Sequence, residues 1–263
     1  MFKRTFPFGQ ANPFITATAI WSLALTPTAV AQNLSPIQIT ITSQIQNIPD
    51  PPPPTSAPVN VVPFEFDPFG TNLVRGTWLT GIGCPTGATT NTGSATGTFT
   101  DPACTSGDPK DGRNEGLLLA KTGPTTNDAA AGARLLGPGV KGVTLTELGY
   151  DLRKPVAATD PRGSHCGAGA PRFNVVTSDG VNHFVGCNSP PAMLAGTSSS
   201  WIRLRWGATE LAAAFPPILP GNTVSSITII FDEGTDTGPD NFGLAVLDNI
   251  DVNGALTGKG PGS

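Results

Sequence analysis

The sequence predicts an all-β protein: a β-sandwich, jelly-roll-like, with long Gly/Thr-rich loops. Three observations predict it. Apolar and polar residues alternate at period two over short runs, as in Arg172–Thr177, Trp201–Trp206 and Ser225–Phe231. The 32 Gly and 27 Pro among 263 residues put turn signals between those runs. Helical periodicity is nearly absent: Glu210–Phe215 is the one helix-like stretch, and Pro216-Pro217 end it. No unit of about 20–50 residues repeats, which argues against a propeller or solenoid.

The N-terminus reads as a secretory signal over residues 1–31. Lys3 and Arg4 give a positive start, Phe14–Leu25 a short apolar run, and Ala29-Val30-Ala31 a small-x-small cleavage site. The apolar run is shorter than the ~20 residues a spanning helix needs, so the expectation is export without membrane insertion, to a secreted, periplasmic or cell-surface location. Without Lys3 and Arg4 the chain keeps 13 basic against 19 acidic residues. That balance lacks the basic surplus of a nucleic-acid binder. In an oxidising compartment the four cysteines, Cys84, Cys104, Cys166 and Cys187, point to disulfides. The pairing expected among the three alternatives is the local one, Cys84–Cys104 and Cys166–Cys187.

Residues 32–60 hold an alternating run, Pro36–Ile48, and a proline-rich spacer around Pro51–Pro54. The sandwich is expected over 61–254 and a flexible tail over 255–263. Within the sandwich, Gly83–Asp108 reads as a long stapled loop, Gly116–Lys121 as a strand and Thr122–Ala133 as a polar connection. Leu148, Tyr150 and Leu152 share one side of a strand. Arg172–Cys187 is a hairpin turning at Ser178-Asp179-Gly180. Ile202, Leu204 and Trp206 face one way, Trp201, Arg203 and Arg205 the other. Ile227, Ile229 and Phe231 form the apolar face of the penultimate strand, and Leu244, Val246, Ile250 and Val252 that of the last.

Two constellations carry candidate chemistry. Asp232, Glu233, Asp236, Asp240 and Asp248 supply the hard oxygens that Ca²⁺ takes, six to eight at a time, so a structural calcium site is expected there. Asp248 shares the even offsets of Leu244, Val246, Ile250 and Val252, which turns it inward, where a lone charge is costly. Trp201, Arg203 and Arg205 would put an indole and two guanidiniums on one sheet face, the equipment to stack on a sugar ring and grip its hydroxyls. Ser164 beside His165 lacks the surroundings of a nucleophile elbow, and Glu147 has no nameable carboxylate partner.

Gly163–Cys187 and Ser226–Gly254 resemble parts of exported bacterial β-sandwich proteins of uncharacterised function. The strand, acidic turn and LDNIDVNG ending are similar to the close of jelly-roll carbohydrate-binding modules. That resemblance implies a calcium-supported last strand and a glycan partner. The expected function is therefore non-enzymatic extracellular binding of a polysaccharide or cell-surface glycan. The alternatives are a structural or matrix surface protein without a small ligand, and a polysaccharide-active hydrolase or lyase drawing on Glu147, Glu233 and the Ser164-His165 pair.

Overall fold

A computed structural model describes residues 57–91, 96–123, 129–154, 170–187, 189–198, 200–232 and 243–263. All of them belong to the compact unit Pro54–Ser263. In chain order the strands are β1 (Asn60–Phe66), β2 (Val74–Thr80), β3 (Thr86–Asn91), β4 (Thr96–Thr100), β5 (Glu115–Lys121), β6 (Ala130–Leu136) and β7 (Leu148–Arg153). They continue as β8 (Arg172–Thr177), β9 (Asn182–Gly186), β10 (Met193–Thr197), β11 (Ile202–Trp206), β12 (Val224–Phe231), β13 (Gly243–Val252) and β14 (Ala255–Thr257). A five-residue helix, α1 (Ala208–Ala212), stands between β11 and β12.

Two antiparallel sheets pack into a β-sandwich. The smaller runs β1-β6-β12-β8-β9, the larger β10-β11-β7-β13-β5-β2, with β14 beside the end of β13. The core between them follows from the alternating pattern. Phe173, Val175, Ile227, Ile229 and Phe231 come from one sheet, and Leu117, Leu119, Leu148, Tyr150, Leu152, Ile202, Leu204 and Trp206 from the other. Each such fully buried side chain stabilises the fold by roughly 1.5–3 kcal/mol. Tyr150, Phe173 and Trp206 interlock with ring centroids 5.2–5.8 Å apart. Both polar tips are satisfied: the Tyr150 hydroxyl donates to Pro171 O at 2.7 Å and the Trp206 Nε1–H to Pro190 O at 3.0 Å. The hairpin predicted at Ser178–Gly180 joins β8 to β9, with Gly180 at φ 83°.

Three expectations change. Residues 130–136, partly read as connection, form β6, which pairs with both β1 and β12. Its Ala and Gly residues have low strand propensity, and the strand is held by its neighbours. Residues 255–260, expected in a flexible tail, are packed: β14 pairs with β13, and the N–H groups of Gly258 and Gly260 donate to Asp108 and Glu115. The Gly83–Asp108 loop carries the β3–β4 hairpin and the Cys84–Cys104 disulfide, as that pairing predicted. It covers part of the outer face of the larger sheet. Cys187 is also disulfide-bonded; Cys166, like Pro36–Ile48 and the signal region, lies outside the described residues.

Candidate functional site

The last strand does not keep one parity. Opposite β7, its pairing steps from Asp248↔Asp151 to Asp251↔Gly149, so three residues of β13 span two of β7. Asn249 takes up the extra residue at φ 43°, a left-handed conformation that Asn tolerates. The bulge splits the apolar face expected from the sequence. Ala245, Leu247, Ile250 and Val252 enter the inter-sheet core, while Val246 joins a second cluster on the other side with Cys84, Ala103, Cys104 and Trp201. Asp248 is buried, 1% exposed, but beneath the disulfide-stapled loop and not between the two sheets.

The bulge also aligns two cross-strand rows. Arg203, Asp151 and Asp248 are register partners across β11, β7 and β13, and Arg205, Gly149 and Asp251 form the next row. Arg203 grips Asp151 through Nε to Oδ1 and Nη2 to Oδ2, both at 2.8 Å, and also reaches Ser106 of the covering loop. Arg205 meets Asp251 at 3.2 Å and Asp151 at 3.7 Å. It does so by lying across Gly149, where a Cβ would come within 2.5 Å of its Cδ. Asn249 Nδ2–H donates to Asp151 at 2.8 Å, and its Oδ1 accepts the Asp108 N–H at 2.9 Å. Asp151, Asp251, Arg203 and Arg205 are all under 9% exposed.

Asp248 is the acid of this layer that no guanidinium touches. Its Oδ2 accepts the Cys84 N–H and its Oδ1 the Asn249 N–H, each at 2.6 Å. Gly83 and Gly258 close over it: a Cβ on either would stand 2.8 Å from a carboxylate oxygen. Burial pushes the Asp248 carboxyl well above the usual carboxylate range, repulsion from Asp151 adds to this, and the two N–H donors oppose it. Burial likewise raises Asp151 against the pull of Arg203 and Arg205. At the rim, burial and a hydrogen bond shared with Asp251 raise Glu147. Three buried carboxyls facing two guanidiniums make a layer that is short of one positive charge, and the site of easiest protonation is Asp248.

This geometry relocates the sequence-predicted groups. Trp201 is 2% exposed against the disulfide, and Arg203 and Arg205 are bound to Asp151 and Asp251, so the face expected to meet solvent is covered by the stapled loop. The expected calcium set is not gathered where it can be seen. Asp232 gives both oxygens to Arg172 at 2.7 and 2.6 Å, at the end of the smaller sheet. Asp248 has both oxygens engaged by N–H groups and glycines against them. Glu233, Asp236 and Asp240 lie outside the described residues. A groove of about 650 Å³ beside the layer, between residues 57–61, 107–110 and 254–262, does not include Asp151, Asp248 or Asp251. His183 is buried between Thr177 Oγ1 at 2.9 Å and Pro216 O at 2.8 Å.

Sequence reasoning missed Asp151, Asn249 and Asp251. The signal was present as Gly149-x-Asp151 facing Arg203-x-Arg205, a complementary charge pattern on two alternating runs, but it becomes visible only once the strands are known to be neighbours. Comparison with protein-family models, with curated proteins and with solved structures finds no match. Among the described residues no helix is long and apolar enough to cross a membrane.

Proposed function

We propose that the chain is an exported, non-catalytic β-sandwich that works outside the cell as a glycan-binding module. One observation carries this reading: the two outer faces of the sandwich are unlike. The larger sheet is covered in part by a stapled loop whose contacts engage its charged side chains in a buried layer. The smaller sheet leaves its outer side chains half-exposed, with Arg134 and Phe184 open to solvent. A covered back and an open front are what a rigid binding scaffold needs. The expected signal segment, the disulfide and the resemblance of Ser226–Gly254 to jelly-roll carbohydrate-binding modules support it.

The test is retention of the purified, exported chain on a panel of insoluble and gel-embedded polysaccharides, with released reducing ends and unsaturated sugars measured in parallel. Retention on at least one polysaccharide without released products is the expected outcome. Passage through the whole panel without delay overturns the reading, and product release replaces it with the hydrolase or lyase alternative.

A further inference from the structure

The outer face of the smaller sheet is an ordered array. Register carries one row across it: Val62 of β1, Arg134 of β6, Thr228 of β12, Asn174 of β8 and Phe184 of β9. At about 4.8 Å per strand the row spans about 19 Å. Phe64, one pair along β1, lies flat over its register partner Gly132, where a Cβ would come within 2.6 Å of the ring. The absent side chain at Gly132 is what lets the ring lie down on the sheet. The Arg134 guanidinium sits 4.7 Å from the centre of that ring. At the far edge Phe184 is 37% exposed, and its strand is bridged to Phe215, itself 76% exposed.

The polar groups between the rings are unengaged. Among the described residues Arg134 has no ion pair and no hydrogen bond; its ring contact is its one interaction. Asn174 Oδ1 is buried and has no hydrogen-bond partner among the described residues. Asp232, which directly follows the strand of Thr228, is paired with the Arg172 fork. It lies four residues along β12 from Thr228, about 13 Å away. Among the described residues of the row, Arg134 is therefore a cation without an acid partner, on a chain of net negative charge.

We propose that this face binds an acidic polysaccharide, a polymer bearing uronate or sulfate groups, stacked on Phe184 with an anionic substituent at Arg134, which Phe64 holds in place. The inference rests on the glycan-binding reading above and adds the place and the class of polymer. Phenyl rings offer flat apolar surface to the C–H faces of sugars. A guanidinium held over a ring keeps donors free for a carboxylate or sulfate. The Thr228 hydroxyl matches a sugar hydroxyl as donor and acceptor. A protein partner would favour a continuous apolar patch, and here polar side chains separate the rings.

Affinity electrophoresis of the full exported chain through gels containing polygalacturonate, a sulfated galactan or neutral xylan distinguishes the outcomes. The acidic polymers are expected to retard the protein and xylan to do so at least about tenfold less. Arg134→Gln is expected to weaken binding of the acidic polymers by about tenfold, the loss of one charge-assisted contact. Phe184→Ala, at an exposed site, is expected to weaken it by about threefold or more. Retardation by the acidic polymers that neither substitution changes overturns this assignment while leaving a glycan-binding protein. Equal retardation by xylan overturns the anionic preference. No retardation in any gel overturns this assignment and leaves the glycan-binding reading to the wider polysaccharide panel, and sedimentation showing a dimer that Phe184→Ala dissolves gives the face to a second copy.

Discussion

Asp248 shows how one side chain ties a covering loop to a sheet. It is the acceptor for one N–H from the stapled loop and one from its own strand, and Gly83 and Gly258 leave no room for water around it. Asp248→Ala leaves two buried donors unpaired and is expected to destabilise the protein by about 3 kcal/mol. Asp248→Asn keeps one acceptor and places an amide N–H₂ against the other donor, for about 1–2 kcal/mol. Chemical denaturation at pH 7 checks both, and amide exchange at Cys84 should quicken in each variant. Unchanged midpoints would mean that the loop does not depend on this carboxyl. That Asp248 is buried was legible from its apolar neighbours. On which side of the sheet it is buried was not, because a single left-handed Asn249 reverses the parity of every residue after it, and period-two counting has no term for such a bulge.

At the scale of elements, the covering loop is the part that the sequence describes least. Strands β5, β7, β8, β11 and β12 could be placed, and the core faces of all but β5 named, because each buries one face against a sheet. The Gly83–Asp108 stretch has no such pattern, so it reads only as a stapled loop, with nothing to say what it packs on. Its burial comes from the disulfide, from Asp101 accepting from Ala103 N–H and Ser198 Oγ, and from Asn249 reaching Asp108. Trp201, Arg203 and Arg205 were correctly set on one side of β11, and only the layer above them was missing. Replacing both Cys84 and Cys104 by alanine is expected to lower stability by about 3 kcal/mol, the contribution of closing a loop of this length. The inter-sheet core lies on the far side of the larger sheet, so far-ultraviolet circular dichroism should be retained. Tryptophan emission should shift to the red as Trp201 loses its cover. A variant as stable as the parent with unshifted emission would show that the loop holds without its staple.

The whole molecule should respond to pH in a way set by which carboxyls are raised and which lowered. Burial raises Asp248, Asp151 and Glu147, and in Asp248 and Glu147 a neighbouring acid adds to it. A group with a raised folded value binds its proton more tightly in the native state. Its contribution is fully present below the unfolded carboxylate value of about 4 and is lost as pH rises through the folded value. Asp232 and Glu115 run the other way. Burial acts upward on both, but the Arg172 fork on Asp232, and the Gly260 N–H with Arg113 on Glu115, outweigh it and hold both acids low. Their contribution is present above about 4 and is lost as pH falls through their folded values. The raised set is the more deeply buried, so stability should decline as pH rises above the unfolded carboxylate value of about 4 toward pH 8, where the chain's excess of acids also repels itself. Denaturation midpoints between pH 4 and 8 measure the slope. The pair Asp248→Asn with Glu147→Gln should be less stable at pH 5 but flatter across the range, because two of the groups that release protons have gone. A parent protein whose stability rises from pH 5 to 8 would show that the buried layer is fully ionised and balanced by a cation other than the proton.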